Sequence, residues 1–157
     1  MRWIIDFEAY QQGSTYFPIE IALLNVETKK CNIFYVGYGF CLKGMEIRYQ
    51  YTRHGIGWSE GNVKLYNALR AIKKRVDIKH DHIIIKGEQK LNYLIAKGFD
   101  PSLFLLIKPE GTPKLNDLEK LVSDDEKCIR HEGTNKHCAM KKCFAILTVV
   151  DDVNIYT

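Results

Sequence analysis

The chain begins with WIIDFE (residues 3–8), an apolar run interrupted by two carboxylates two positions apart. Side chains two apart on a strand point to the same face, so Asp6 and Glu8 are expected side by side. PIEIALLNV (18–26) is rich in branched residues, ETKK supplies a hairpin-like turn, and CNIFYVGY (31–38) is the natural antiparallel partner. HIIIKG (82–87) is a continuous apolar run ending in glycine, the pattern of a buried parallel strand, and LFLLI (103–107) makes a fifth strand. Helical periodicity over NVKLYNALRAIKKRV (62–76) places Val63, Tyr66, Leu69, Ile72 and Val76 on one face, with basic residues opposite. EQKLNYLIAKG (88–98) runs helically into Gly98 as a C-cap. LNDLEKLV (115–122) forms a short helix and CAMKKCFAILTVV (138–150) a longer one, with breaks at Pro101, Pro109 and Pro113. Three strands in succession, then helix, strand, helix, strand and two helices, predict an α/β fold. Its five-stranded sheet is mixed, antiparallel first and then parallel, with helices against it.

Composition adds a few bounds. At 157 residues the chain is expected to be one domain, 1–157, with a real hydrophobic core. No segment approaches the run of roughly eighteen apolar residues that a membrane span needs. The N-terminal MRWIIDFEAY meets Asp6 and Glu8 too early for a signal-peptide core, which predicts an intracellular protein (cytoplasmic or nuclear) with reduced cysteines. Five cysteines, an odd number, also argue against a closed disulfide framework. With 23 basic against 19 acidic residues the net charge is +4, a weak pointer to nucleic acid. Two basic clusters stand out, one at Lys73, Lys74, Arg75, Lys79, His80 and His82, the other between Lys127 and Lys142. Solvated helix faces are the commoner reading of either.

CIRHEGTNKHCAMKKC (128–143) carries three cysteines and two histidines. A Cys-x-x-His pair grips one ion from a tight turn, and the turn formers after it, Gly133 among them, let Cys138 return to the same ion. The fourth ligand is open at this point; His137 is a candidate, although its adjacency to Cys138 makes simultaneous ligation awkward. Cys143 faces another direction on the predicted helix and belongs to the core, as do Cys31 and Cys41. Ordinary reduced cysteines with His131 on the surface are the bland alternative. The tyrosines and phenylalanine at 10, 16, 17, 35, 38, 49 and 51 offer stacking surfaces for bases, although filling and rimming a sheet is their commoner use.

The element order is the ribonuclease H-like pattern, and several motifs resemble the DEDDh class of 3′-to-5′ exonucleases. The carriers are Asp6-x-Glu8 on the first strand, Ile-Glu-Ile-Ala (19–22) on the second, TRHGIGW (52–58), HIIIKGEQKLNYL (82–94) and HCAMKKC (137–143). That resemblance implies carboxylates holding two divalent ions, and His137 as general base. The sequence departs from it at two acids: Lys90 stands in the second motif and Lys142 in the third. A two-metal site needs several carboxylates to offset about four positive charges, so Mg or Mn is not expected. The degenerate site is Asp6, Glu8, Lys90, His137 and Lys142, with the lysines poised to ion-pair with the two acids.

A second resemblance, to the Maelstrom domain, covers Glu20, Cys128, His131 and Cys138. It implies a Glu-Cys-His-Cys structural zinc in place of the lost acidic cluster. The implied function is a pseudo-exonuclease that binds single-stranded nucleic acid, RNA above DNA, or a partner in RNA silencing. Lys86, Lys90, Lys141 and Lys142 would contact phosphates. Two alternatives stay open: a ribonuclease with residual or non-standard activity, and a protein-interaction module of viral or mobile-element origin.

Overall fold

A computed structural model describes residues 1–39, 51, 53–110, 112–131, 134 and 136–156. Five strands form one sheet in the order β3-β2-β1-β4-β5. They are β1 (Arg2–Gln12), β2 (Thr15–Asn25), β3 (Cys31–Tyr35), β4 (His82–Lys86) and β5 (Phe104–Ile107). β1 pairs antiparallel with β2, and β2 with β3. β4 lies parallel to β1 on its other side, and β5 parallel to β4. The sheet is therefore mixed and flanked by helices, with the carboxylate-bearing β1 at its centre.

The period-2 pattern of the strands sorts the core into two layers. Trp3, Ile5, Phe7, Ile21, Leu23, Ile83 and Ile85 face α1 (Leu65–Arg75) and α2 (Glu88–Ala96). Ile4, Ala22, Leu24, Ile84 and Ile107 face the opposite way, onto Ala139, Cys143 and Ile146 of a C-terminal helix. In chain order that helix is α4 (Ala139–Leu147), following the short α3 (Leu115–Glu119). Asp6, Glu8 and Glu20 sit at even positions and so point at α4, on the same side as Ile4 and Ala22. A register shift between Glu8 and Ala9 follows, where Ala9 pairs with Pro18. A proline cannot donate to the ladder, so the irregularity falls where β2 has lost a donor anyway.

The elements are shorter or longer than their patterns by a few residues, and one face differs. α1 begins only at Leu65, and its buried residues are Ala68, Leu69 and Ile72. Tyr66, expected inward, is 72% exposed. Leu65, Ala68, Leu69 and Ile72 follow the i, i+3, i+4, i+7 spacing and put more aliphatic surface on the sheet; Tyr66 lies about 100° round from Leu65. Val63 precedes the helix and instead forms a parallel bridge with Val36. Backbones approach closely here: a Cβ on Gly61 would lie 2.1 Å from the Val36 carbonyl carbon, so no other residue fits without displacement.

Among the described residues, no helix is long and apolar enough to cross a membrane. Cys41, Tyr49, Thr52 and Gly133 lie outside the described residues.

Candidate metal centre and carboxylate cleft

Four buried side chains from three parts of the chain meet above β2. Glu20 comes from the strand, Cys128 and His131 from a 3-10 turn (Ile129–His131) and the residue before it, and Cys138 from the N-cap of α4. Their ligand atoms all lie within 4.8 Å of one another. Cys128 Sγ is 3.1 Å from Glu20 Oε2 and 3.0 Å from His131 Nδ1, and Nδ1 is 3.2 Å from Oε2. Each residue is at most 2% exposed. Two thiols, an imidazole and a carboxylate buried this close together form a group that could hold one metal ion.

The surroundings orient these atoms. His131 Nε2–H donates to the backbone carbonyl of His54, which leaves Nδ1 free to face the cluster. Glu20 Oε1 accepts the Ala139 N–H at 2.6 Å, and that leaves Oε2 turned inward. The donor is one of the orphan amides of the first turn of α4, so the bond satisfies helix and ligand together. The Cys128 N–H donates to Cys138 Sγ at 3.3 Å. In the cluster as it stands, burial pushes the Glu20 carboxyl up. Cys138 and burial push the Cys128 thiol up, while Cys128 and His131 hold Cys138 down toward the thiolate. Burial opposes the His131 imidazolium, yet Cys138 and Glu20 raise it to about 10. The acidic groups crowd one another and the histidine attracts a proton, which is how a pocket of anionic donors behaves toward a positive charge.

His54 has no place among the sequence-based site residues, and its role lies in its backbone. Its ring accepts the Ile56 N–H at Nδ1 (3.2 Å) and lies edge-on to Tyr10. Tyr10 in turn donates to the Ile56 carbonyl at 2.6 Å. Burial pushes His54 down to about 4, so the ring is neutral near pH 7. The His137 N–H donates to the Arg53 carbonyl at 2.8 Å. RHGIGW thus frames the metal centre from behind. In the sequence this segment stood out only as the TRHGIGW motif of the exonuclease resemblance, with nothing to mark the His54 carbonyl.

On the same side of the sheet, Asp6 and Glu8 are 1% and 5% exposed. Lys90, from the first turn of α2, pairs with Asp6, and Lys142 of α4 pairs with Glu8. Burial alone would raise the Glu8 carboxyl, but Lys142 and then Lys90 bring it below the usual range. Lys142 is the converse: burial opposes its charge, and Glu8 and Asp6 raise it regardless. A cleft of about 220 Å³ opens here, lined by Glu8, Arg53, His54, Lys90 and Lys142 among others.

The remaining predicted residues are distributed around these two sites. His137 is half-buried and lies outside the four-residue metal group, so Glu20 and not His137 completes it. Burial and Lys142 push its pKa down, leaving a neutral imidazole. It lines a polar hollow of about 510 Å³ with Lys127, Lys136 and Lys141. Lys141 pairs with Asp124 at 3.0 Å, and Lys86 is half-buried, with burial lowering its pKa. Cys143 is fully buried against the Ile4 and Ala22 carbonyls, as expected of a core residue. Cys31 is half-buried.

No protein-family model matches the chain, and no curated protein matches it significantly.

Proposed function

We propose that the chain is a zinc-bearing, catalytically degenerate domain of the ribonuclease H-like exonuclease class, akin to the Maelstrom domain, and that it binds single-stranded nucleic acid, RNA above DNA. The observation that carries the degenerate part is the pairing of Lys90 with Asp6 and of Lys142 with Glu8. Two ammoniums stand where two-metal chemistry requires carboxylates, and they occupy the acids that remain. A divalent ion entering this cleft would have to displace a buried cation and sit beside a second one.

The zinc part rests on the donor set. Thiolate and imidazole suit zinc, whereas Mg and Mn prefer oxygen. Zinc bond lengths of about 2.0–2.3 Å put the corners of a tetrahedron roughly 3.3–3.8 Å apart. The separations of 3.0–3.2 Å among Glu20, Cys128 and His131 need little adjustment to reach that spacing. Four protein ligands fill the tetrahedron, the arrangement of a structural site rather than a catalytic one. When bound, the ion would tie residues 128–138 and the start of α4 to β2.

Support for the nucleic-acid part is the basic lining at this end of α4. Arg53, Lys90 and Lys142 line the cleft beside Glu8, and Lys127, Lys136 and Lys141 outnumber Glu119 and Asp124 in the neighbouring hollow, so a phosphate would compete with the acids that pair with these lysines. Phosphate contacts release counterions, so binding to a short unstructured RNA should fall steeply with salt. With about three such contacts on a single strand, affinity should drop roughly 20-fold between about 50 and 200 mM salt. Fluorescence anisotropy on a labelled oligoribonucleotide measures it. Binding that ignores salt, or no binding at low salt, would contradict this reading.

A further inference from the structure

Three of the four side chains in the metal group are held by a backbone partner: Glu20 by the Ala139 N–H, His131 by the His54 carbonyl and Cys138 by the Cys128 N–H. Cys128 is the fourth. Its Sγ meets Glu20 Oε2 at 3.1 Å and His131 Nδ1 at 3.0 Å, both inside the group, and no backbone amide donates to it among the described residues. Ligands of a bound ion are normally steadied from outside the ion's own shell as well, and a charged sulfur is a ready acceptor. Cys128 therefore raises the question of what holds it.

The side chain that reaches it is Tyr35, the last residue of β3. Tyr35 stands opposite Glu20 in the β2–β3 register, so both side chains leave the same face of the sheet. Burial and then the Cys128 side chain, which its hydroxyl meets, push the Tyr35 pKa up. Yet the hydroxyl oxygen is buried and no hydrogen bond satisfies it as the cluster stands. A buried hydroxyl without a partner costs free energy. Here Cys128 gives its proton to Glu20, and a thiol sulfur is a weak acceptor. A cysteine bound to zinc is a thiolate, which is a strong one.

The Tyr35 ring is clasped from the same turn that supplies two of the ligands. Arg130 lies between Cys128 and His131, and its guanidinium carbon is 4.0 Å from the Tyr35 ring centroid. Its Nη2 donates to the Glu60 carbonyl at 3.0 Å, which anchors the stacked cation. Two thiolates and a carboxylate carry one negative charge more than a zinc ion cancels, and a hydroxyl dipole backed by a guanidinium offsets it.

We propose that Tyr35 is a positioning residue of this centre: with an ion bound, its hydroxyl donates to the Cys128 thiolate, and Arg130 keeps the ring in place for that bond. The proposal rests on the zinc reading above and adds a fifth side chain to it. Because the bond needs the thiolate, it belongs to the metal-bound state alone. That separates Tyr35 from a residue that merely fills the sheet.

Two measurements test it: zinc affinity by competition with a chromophoric chelator, and the absorption spectrum of protein whose zinc is exchanged for cobalt(II). Cobalt(II) takes the same tetrahedral sites and shows a thiolate-to-metal charge-transfer band. Tyr35→Phe should lower zinc affinity by about 10–100-fold. It should also move the charge-transfer band to longer wavelength, because a thiolate that has lost a hydrogen-bond donor gives up charge more readily. Chelated Tyr35→Phe should melt no lower than chelated native protein, since the hydroxyl has no partner there. Tyr38→Phe is the control, its hydroxyl being bonded to the Pro18 carbonyl, and should leave affinity and band unchanged. A band shift of equal size in the control overturns the proposal. So does a chelated Tyr35→Phe that melts lower with its band unmoved, which would mark a packing role. Equal zinc affinity and an unmoved band in native and Tyr35→Phe protein overturn it and leave the zinc reading standing. Native protein that takes up neither ion overturns both.

Discussion

Lys142 and Glu8 form their ion pair with side chains only 7% and 6% exposed, so neither can fall back on water. Removing one partner of such a pair strands the other charge. The pH dependence follows from the two shifts. Glu8 is held below its unfolded value, so its contribution is present above about pH 4.3 and is lost as pH falls through the folded pKa. Lys142 is held above its unfolded value, so its contribution is complete below about pH 10.4 and is lost as pH rises through the folded pKa. The pair therefore stabilises the fold across neutral pH. In Lys142→Met the main lowering influence on Glu8 is gone and burial dominates, so Glu8 titrates upward. The expected loss is about 3–5 kcal/mol near pH 8, shrinking toward pH 4 as Glu8 takes up a proton. Urea unfolding at the two pH values reads both numbers, and an equal loss at both would contradict the assignment of a charged pair.

At the scale of elements, the strands were legible because each is a run of branched and aromatic residues between turn formers. The face of α1 was legible except at one position: Leu69, Ile72 and Val76 are buried as expected and Val63 packs on the core, whereas Tyr66 points outward. Counting Tyr66 as apolar at i+3 from Val63 put one residue too many on the stripe, and the helix starts three residues later than its pattern. The stripe that buries Ala68, Leu69 and Ile72 predicts a sharp contrast between neighbours. Ile72→Ala should cost about 2–5 kcal/mol, whereas Tyr66→Ala should stay within about 0.5 kcal/mol of the native stability. Thermal melts of the two variants measure it, and a large loss at Tyr66 would contradict its outward placement. The metal group divides in the same way. Cys-x-x-His and the later cysteine are visible as local spacing. Glu20 lies 108 residues from Cys128, so only the resemblance pointed to it. The His54 carbonyl that steadies His131 left no signal at all, since a backbone acceptor is the same in every residue.

Across the whole molecule, α4 is where the separate features join. Its N-cap thiol belongs to the Glu20–Cys128–His131–Cys138 cluster and its first amide binds Glu20, Lys142 one turn later neutralises Glu8, and Cys143 and Ile146 pack on the sheet. A metal ion bound by Glu20, Cys128, His131 and Cys138 would thus fix the helix that also closes the carboxylate cleft. Because the unfolded chain has no such site, binding free energy becomes folding free energy. Chelation should therefore lower the melting temperature of native protein, and it should leave a Cys128→Ser variant unmoved, at an already reduced temperature. The most direct test is elemental analysis of freshly purified protein never exposed to chelator. About one zinc per folded chain is expected, as a closed four-ligand site requires, and none in Cys128→Ser. Folded, native protein without zinc would contradict it.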